Sequence, residues 1–199
     1  MKSHLFLLVF VLPIVMYNCG HNETKLTDTQ KAKVEELKKE VHSDLTDNLL
    51  PWWSARSVDY LNGGFYGRIN HEDSIIADAN KGGILNARIL WTYSAAYRTL
   101  KDTAYLTLAT RARDYIFEHF IDKEYGGAFW SVDAMGEPVD TRKQLYTNAF
   151  FIYGLSEYSR ATGDKESLEA AKAIFDLVEE HALDREANGY FEIFDREWK

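Results

Sequence analysis

Few titratable side chains of this 199-residue chain stand in a pattern that could support catalysis. Asp133 and Glu137 could form a pair of carboxylates about 5–10 Å apart, as glycoside hydrolysis requires. Both lie in a turn-rich stretch, so we expect them to be solvated. His119 and His181 lie near the C-termini of two predicted helices, where a role as helix-end partners is the simpler interpretation. His71 follows a glycine turn, and we interpret it as a solvated loop histidine.

Aromatic side chains recur along two predicted helices at equivalent places in the chain. They are Trp91, Tyr93 and Tyr97 in the first helix, and Tyr146, Phe150, Phe151, Tyr153 and Tyr158 in the second. An aromatic cleft suits sugars, because the C–H faces of a sugar stack on rings while its hydroxyls reach polar side chains. The same stripe would also serve as ordinary core, so the pattern alone leaves both interpretations open.

A short glycine-containing turn recurs three times at a nearly constant interval. It occupies residues 59–66, 122–130 and 184–191. Gly64 and Gly127 are 63 residues apart, and Gly127 and Gly189 are 62 residues apart. A repeat of this size indicates a supersecondary module that buries its apolar face against its neighbours.

Each interval between two glycine turns is filled by a pair of predicted helices. The apolar periodicity predicts helices over 88–100 and 105–120 in the first interval, and over 145–162 and 167–183 in the second. The first helix of each pair is rich in aromatic residues and the second carries a charged face, which places the first inside and the second outside. We therefore predict an all-α protein with the architecture of an α/α toroid.

The overall charge excludes several kinds of partner. The chain carries 23 Lys and Arg against 31 Asp and Glu, a formal net charge of −8. Such a surface disfavours nucleic acids and anionic membranes, and no glycine loop of the phosphate-binding type is present. No His, Asp and Glu cluster has metal-ligand spacing, so we expect no metal and no cofactor.

The N-terminal segment is typical of export. Residues 5–15 are almost wholly apolar behind Lys2, as in a secretory signal, and we assign 1–18 to a signal peptide. Cys19, the single cysteine, follows at once and precedes a polar linker over 19–29. This segment resembles a bacterial lipoprotein signal with Cys19 as the lipidated residue. We expect an exported bacterial protein, periplasmic or anchored to the membrane through Cys19.

Several motifs, in order, resemble the N-acylglucosamine 2-epimerase family and particularly its cellobiose 2-epimerase branch. They are GGILNARILWTYSAAYR at 82–98, GGAFWSVD at 126–133, KQLYTNAF at 143–150, GLSEY at 154–158, GYFE at 189–192 and REW at 196–198. The resemblance covers about residues 30–199. It implies an (α/α)6 barrel of which this chain holds the N-terminal half.

The resemblance also implies two substrate-binding residues, Arg88 and Tyr146. A guanidinium can hold sugar oxygens and stabilise the negative charge of an enediolate, and a phenol can donate and accept hydrogen bonds. Aligning Tyr97 with Tyr158 across the repeat sets Arg88 opposite Ala149. Both candidate residues then lie near the start of consecutive inner helices.

The implied reaction is epimerisation at C2, interconverting glucose and mannose units at the reducing end of a cellobiose-type disaccharide, or acting on N-acylglucosamine. It needs two acid–base groups that flank C2, and the family uses histidines for this. Those histidines would follow Lys199; the family motif matches none of the six present (His4, His21, His42, His71, His119 and His181). We therefore expect no catalytic residue in this chain and no epimerase activity from the chain alone. We also expect exposed apolar flanks that lead to aggregation or to association with a missing C-terminal half.

Two alternatives remain open at this stage. One is another α/α-barrel enzyme, a glycoside or uronyl hydrolase using Asp133 and Glu137. The other is a non-catalytic, surface-anchored sugar-binding lipoprotein that keeps the aromatic cleft without the histidines.

Overall fold

The computed structural model describes residues 26–199, which divide into two compact units at Leu45 and Thr46. The described part of the first unit is helix α1, Asp28–Ser43. Thr27 caps this helix, since its hydroxyl accepts a hydrogen bond from Gln30 N–H and the Gln30 side chain accepts one from Thr27 N–H. The helix thus begins inside the linker predicted over 19–29. The predicted signal segment and Cys19 lie outside the described residues.

The second unit, Thr46–Lys199, is built from helices joined by very short strands. After a π-helical segment (Asp44–Leu49), the helices are α2 (Leu50–Arg56), α3 (Gly83–Leu100), α4 (Thr103–Tyr115) with a π-helical extension (Ile116–Phe120), α5 (Leu145–Thr162) and α6 (Lys165–His181). The strands are β1 (Lys81–Gly82), β2 (Ser131–Val132), β3 (Pro138–Asp140), β4 (Lys143–Gln144), β5 (Leu183–Asp184), β6 (Gly189–Tyr190) and β7 (Ile193–Phe194).

The helices of this unit form two layers. Helices α3 and α5 pack side by side, α4 packs on α3, and α6 packs on α5. Fully buried side chains between them include Leu90, Ile116, Phe120, Phe151 and Leu155. Helix α6 buries a single stripe, as expected of an outer helix. The predicted α/α arrangement, with the first helix of each pair inside, is confirmed.

Local sequence signals set the helix ends. The αL residues Lys101 (φ 62°) and Gly163 (φ 81°) end the two inner helices. Asp102 and Asp164 then cap the outer helices through their carboxylates. Each outer helix consequently begins two residues before its predicted start, because the cap residue and not the first apolar residue opens the helix.

The three glycine turns adopt one structure. Each is a hairpin closed by a short antiparallel pairing, at Val58 with Phe65, at Ile121 with Ala128, and between β5 and β6. The aspartate that opens each turn accepts hydrogen bonds of 2.9–3.2 Å from the backbone N–H groups two and three residues later. These residues are Asp59, Asp122 and Asp184. The predicted repeat is therefore confirmed.

The hairpins interlock with the inner helices. Strand β1, directly before α3, pairs with β2, and strand β4, directly before α5, pairs with β7. The Gly83 N–H donates to Trp130 O at 2.9 Å, and the Leu145 N–H donates to Glu192 O at 2.8 Å. Each hairpin segment is thus hydrogen-bonded to the N-terminus of the inner helix that precedes it in the chain.

These hydrogen bonds also correct the repeat alignment. The paired partners, and the bounds of α3 and α5, differ by 62 residues. The alignment of Tyr97 with Tyr158 used 61 and was wrong by one, because the aromatic stripe shifts between the two helices while the helix entrances do not. Arg88 therefore corresponds to Phe150, and Tyr146 to Ile84.

A second turn repeats beside each hairpin, and the sequence analysis missed it. Asn70, Asp133 and Asp195 each accept hydrogen bonds from the backbone N–H groups two and four residues later, at 2.8–3.0 Å. Three residues after each, the backbone has positive φ, at Asp73 (58°), Gly136 (102°) and Trp198 (64°). Each turn opens with Asn or Asp, but the residue with positive φ is Asp, Gly or Trp, so the sequence signal is weaker than that of the glycine turns.

Candidate functional site

Arg88 and Tyr146 open onto one cavity between the two inner helices, α3 and α5. Its volume is about 620 Å³, and its lining residues are Arg88, Trp91, Thr92, Tyr146, Ala149, Phe150 and Tyr153. Arg88 is exposed, and Tyr146 keeps 55% of its surface exposed. The structure therefore brings together the two side chains that the family motif selects, although 58 residues separate them in the chain.

The Arg88 guanidinium is available to a ligand. Its central carbon lies 6.0 Å from the centre of the Phe150 ring, and no hydrogen bond or ion pair holds it among residues 26–199. Arg98 on the same helix, in contrast, binds the carboxylate of Glu157 at 2.6 Å. An arginine without a carboxylate partner keeps all five of its N–H donors free for sugar oxygens.

Aromatic rings form the wall of the cavity. The Trp91 and Tyr153 rings stack with centres 5.0 Å apart and planes at 10°. Phe150 meets Tyr146 edge-on at 5.0 Å and Tyr153 edge-on at 6.1 Å. These four aromatic residues of the stripe are part of the cavity surface, as the cleft interpretation predicts. Three others (Tyr93, Phe151 and Tyr158) are at most 7% exposed and belong to the core.

Among the residues that the structure describes, none with a carboxylate or an imidazole lines the cavity. The Oδ1 atom of Asp133 accepts hydrogen bonds from Met135, Gly136 and Glu137 N–H, at 2.8–2.9 Å. These backbone hydrogen bonds, with that of Glu137 the strongest cause, lower the pKa of Asp133. Asp133 is therefore a turn-forming residue, as expected, and Glu137 is exposed beside it.

The three histidines considered in the sequence analysis lie away from the cavity. His119 places Nδ1 3.1 Å from Gly136 O and lies against the Tyr115 ring at 4.3 Å. His181 stacks on Trp198 at 5.5 Å. His71 has 90% of its side chain exposed. None of them lines the cavity.

Buried ion pairs hold the entrances of the inner helices and thereby position the site. Lys81 Nζ lies 3.0 Å from Asp59 Oδ2 before α3, and Lys143 Nζ lies 2.8 Å from Asp122 Oδ2 before α5. The side chains of both pairs are at most 1% exposed. Sequence reasoning missed these pairs. The signal was present, since a lysine follows each turn-opening aspartate after 22 and 21 residues.

The second of these clusters has an additional cation. Arg196 donates to both oxygens of Asp122, at 3.0 and 3.2 Å. Burial alone would raise the pKa of Asp122, but the hydrogen bonds from Arg196, Lys143 and the turn amides outweigh it and hold the pKa well below its ordinary value. This carboxylate is ionised at any physiological pH and anchors the strand that leads to Tyr146.

Residues 26–199 contain neither a membrane-spanning helix nor a metal-binding cluster. No helix there has the length and apolar character needed to cross a membrane. No group of three or more His, Cys, Asp and Glu side chains there could hold a metal ion. The predicted lipidation of Cys19 falls outside this range and stays a prediction.

Layered helix pairs joined by hairpins, with an aromatic cavity between the inner helices, define a segment of an α/α barrel. The N-acylglucosamine 2-epimerase family model matches residues 64–199. The chain belongs to the N-acylglucosamine 2-epimerase family, which confirms the resemblance seen in the motifs.

The relatives and solved structures agree with this assignment. The chain is 52% identical over 164 residues to a cellobiose 2-epimerase of Bacteroides fragilis, covering 82% of this chain and 42% of the relative. A cellobiose 2-epimerase structure from Spirochaeta thermophila superposes with a TM-score of 0.83 at 36% identity, covering 87% of this chain and 43% of that one. One from Bacillus thermoamylovorans gives 0.81 at 41% identity, covering 83% and 42%. The chain thus spans about two fifths of the length of these proteins.

Proposed function

We propose that this chain supplies the Arg88–Tyr146 side of the substrate cavity of a sugar 2-epimerase. The observation that carries the proposal is the convergence of these two residues on an aromatic cavity of about 620 Å³. This volume lies within the range of about 300–1,000 Å³ that is usual for small-molecule sites. Family membership supports the reaction class, and the names of the relatives support a cellobiose-type disaccharide as substrate.

The two polar residues have distinct roles in this proposal. In C2 epimerisation, loss of the C2 proton next to the open-chain aldehyde leaves negative charge on the sugar oxygens. The Arg88 guanidinium stabilises that charge, and the Tyr146 hydroxyl donates a hydrogen bond that orients the sugar. The aromatic wall holds the C–H face of the ring.

Proton transfer at C2 belongs to groups outside the described residues. The reaction requires one group that removes the proton and one that returns it on the opposite face. The cavity lining offers neither a histidine nor a carboxylate, and an arginine is protonated at all relevant pH values. The chain by itself is therefore proposed to bind sugar without converting it.

A titration followed by NMR tests the binding role. Cellobiose added to the chain should shift the indole signal of Trp91. Arg88→Gln should weaken binding about 10- to 100-fold, since it removes a charged donor, and Tyr146→Phe about 3- to 10-fold. Arg160→Gln and Tyr60→Phe are matched controls, because both residues are exposed and lie outside the cavity. Equal affinity of all four variants would contradict the proposed site.

One observation favours a second function. Among residues 26–199, the cavity lining has no histidine and no carboxylate, which also fits a surface sugar-binding protein. We propose this as the alternative, and joining the chain to the rest of an epimerase ring distinguishes the two functions. The hydrolase alternative has no comparable support, because Asp133 is engaged in a turn.

A further inference from the structure

The dipeptide Asn-Gly occurs twice in the chain, once in the first hairpin and once in the third. The first copy is Asn62–Gly63 and the second is Asn188–Gly189. An asparagine that precedes glycine cyclises readily, because glycine has no Cβ to hinder the approach of its backbone nitrogen to the asparagine side chain. The two hairpins hold this dipeptide in different surroundings, so the two copies should differ in reactivity.

The first copy is held in place by its neighbours. Asn62 Nδ2 donates to Asp59 Oδ2 at 3.3 Å, and the Asn62 N–H donates to Asp59 Oδ1 at 2.9 Å. Asp59 in turn pairs with the buried Lys81. The ring of Tyr115 lies 3.4 Å from the place that a Cβ on Gly63 would take. Cyclisation of Asn62 therefore requires a packed part of the hairpin to open.

The second copy is exposed. Asn188 takes the place of Gly63 and Gly126 in the other hairpins, and the three residues have positive φ of 57°, 79° and 70°, respectively. The Asn188 side chain is exposed and makes no hydrogen bond to the part of the chain that the structure describes. A Cβ on Gly189 would meet nothing within 4 Å, whereas one on its counterpart Gly127 would meet Trp198. The Asn188 side chain is thus free to rotate towards the backbone.

The backbone nitrogen of Gly189 lies at the end of a short ladder. Gly189 pairs with Asp184, and this pair is the one next to the turn in the two-residue strands β5 and β6. The terminal pair of so short a ladder opens at a small cost in free energy. Its opening frees the Gly189 nitrogen, while the backbone N–H groups of Glu186 and Ala187 stay bound to Asp184.

We propose that Asn188 is a site of spontaneous deamidation, at which solvent water converts the asparagine to isoaspartate and aspartate. The Gly189 nitrogen attacks Cγ of Asn188 with its electron pair. The Cγ–N bond forms, the Cγ–Nδ2 bond breaks, and Nδ2 leaves as ammonia with the proton of the Gly189 nitrogen. Water then opens the resulting succinimide at either carbonyl, giving its hydroxyl to the new carboxyl group and its other proton to the released nitrogen.

The reaction changes the third hairpin and involves no residue of the sugar cavity. Isoaspartate carries the main chain through the former side chain, which adds one methylene group between β5 and β6, and its carboxylate adds a negative charge. The length of the turn sets the register of a hairpin, so the product should lose the pairing of β5 with β6. The inference is therefore independent of the proposed function.

Peptide mass spectrometry of the aged chain tests the proposal. The chain is kept at mildly alkaline pH, either folded or in urea, and samples are digested at intervals to follow the change in mass and the isoaspartyl linkage at both asparagines. In the folded chain, Asn188 should convert at least about 10-fold faster than Asn62, since Asn62 reacts only through local opening. In urea the two rates should converge. Equal rates in the folded chain would overturn the proposal.

A glycine variant tests the cyclisation step. Gly189→Ala fits the fold, because the new Cβ has free space, and it should slow conversion of Asn188 by about 10-fold or more, since the methyl group hinders attack. The rate at Asn62 in the same molecule should not change. Gly82→Ala, at another glycine with free space, is the matched control and should leave both rates unchanged. An undiminished rate at Asn188 in Gly189→Ala would rule out the succinimide route.

Discussion

The buried charged residues of this protein position strands and helices and have no direct part in the proposed sugar chemistry. Lys143 and Asp122 are fully buried together, and Arg196 covers them from the solvent side with 41% of its side chain exposed. A buried pair of this kind contributes little net stability, but removal of one partner leaves the other charge uncompensated. The pair therefore specifies how β4, and with it the start of α5, is placed.

The first prediction concerns this pair. Asp122→Asn should lower the free energy of unfolding by about 3–5 kcal/mol, since Lys143 would then be buried without a counter-charge. Asp114→Asn is the matched control; its side chain is 59% exposed and pairs with Arg113 at 3.0 Å, so a loss below about 1 kcal/mol is expected. Urea unfolding at neutral pH measures both.

The pH dependence of stability follows from the lowered pKa of Asp122. A carboxyl with a lower pKa in the folded state than in the unfolded chain stabilises the fold above the unfolded pKa, about 3.9. That contribution is lost as the pH falls from there through the folded pKa. Acid unfolding curves should therefore be less steep for Asp122→Asn than for the wild type, and identical slopes would contradict this assignment.

At the scale of elements, the second hairpin depends on a glycine that a larger residue cannot replace without strain. Gly127 has φ of +69°, and a Cβ there would lie 2.5 Å from the Trp198 ring. Gly82 caps α3 with φ of −84°, and a Cβ there would meet nothing within 4 Å. Both glycines lie near the N-terminus of an inner helix. Only Gly127 has a steric reason to be glycine.

Gly127→Ala should therefore destabilise the fold by about 3 kcal/mol or more, through backbone strain and the clash with Trp198. Gly82→Ala should change the free energy of unfolding by less than about 1 kcal/mol. Thermal unfolding of the two variants provides the comparison. A loss at Gly82 as large as that at Gly127 would show that the hairpin geometry is not the cause.

The two equivalent asparagines of the inner helices offer a second test. Asn148 donates to Gln144 O at 2.9 Å and accepts from Ala128 N–H, whereas Asn86 donates to Gly82 O at 2.9 Å and its Oδ1 has no partner among the described residues. Asn148→Ala should cost about 1–3 kcal/mol more than Asn86→Ala, because it leaves the buried N–H of Ala128 in the second hairpin unsatisfied. Equal losses would indicate that the link from α5 to the second hairpin is not stabilising.

At the scale of the whole molecule, the proposed function gives this chain the sugar-binding groups on one side of a cavity and assigns the acid–base groups to the rest of a ring. The purified chain should therefore not convert cellobiose to its C2 epimer. A chimera that continues the chain after Lys199 with the part of the Bacteroides fragilis relative that it does not match should convert cellobiose. Arg88→Gln in this chimera should lower kcat/KM about 10- to 100-fold. Anomeric proton NMR of the sugar measures the conversion.

Two outcomes would change the interpretation. Turnover by the isolated chain would show that an acid–base group acts within it. A folded chimera that binds cellobiose but does not convert it would favour the sugar-binding alternative over the enzyme.

The amino-acid sequence alone predicted the repeat, the main helices and several helix ends. The interval between glycine turns, the four main helices and the stop at Gly163 depend on local preferences: amphipathic periodicity, capping carboxylates and the freedom of glycine at positive φ. Such signals act over a few residues and are therefore visible in the chain itself. Arg88 and Tyr146, in contrast, were proposed only because the motifs around them resemble the N-acylglucosamine 2-epimerase family.

Other features arise only when distant segments meet. The repeat offset of 62, the pairing of Lys143 with Asp122 and the shared cavity of Arg88 and Tyr146 connect residues that are 21–62 positions apart. Helix packing and strand register decide these contacts, and a shift of one residue along a helix changes the direction of a side chain by about 100°. The sequence thus determined the modules and their order, while the tertiary structure decided their register and the side chains that share the site, since side-chain direction depends on packing between modules.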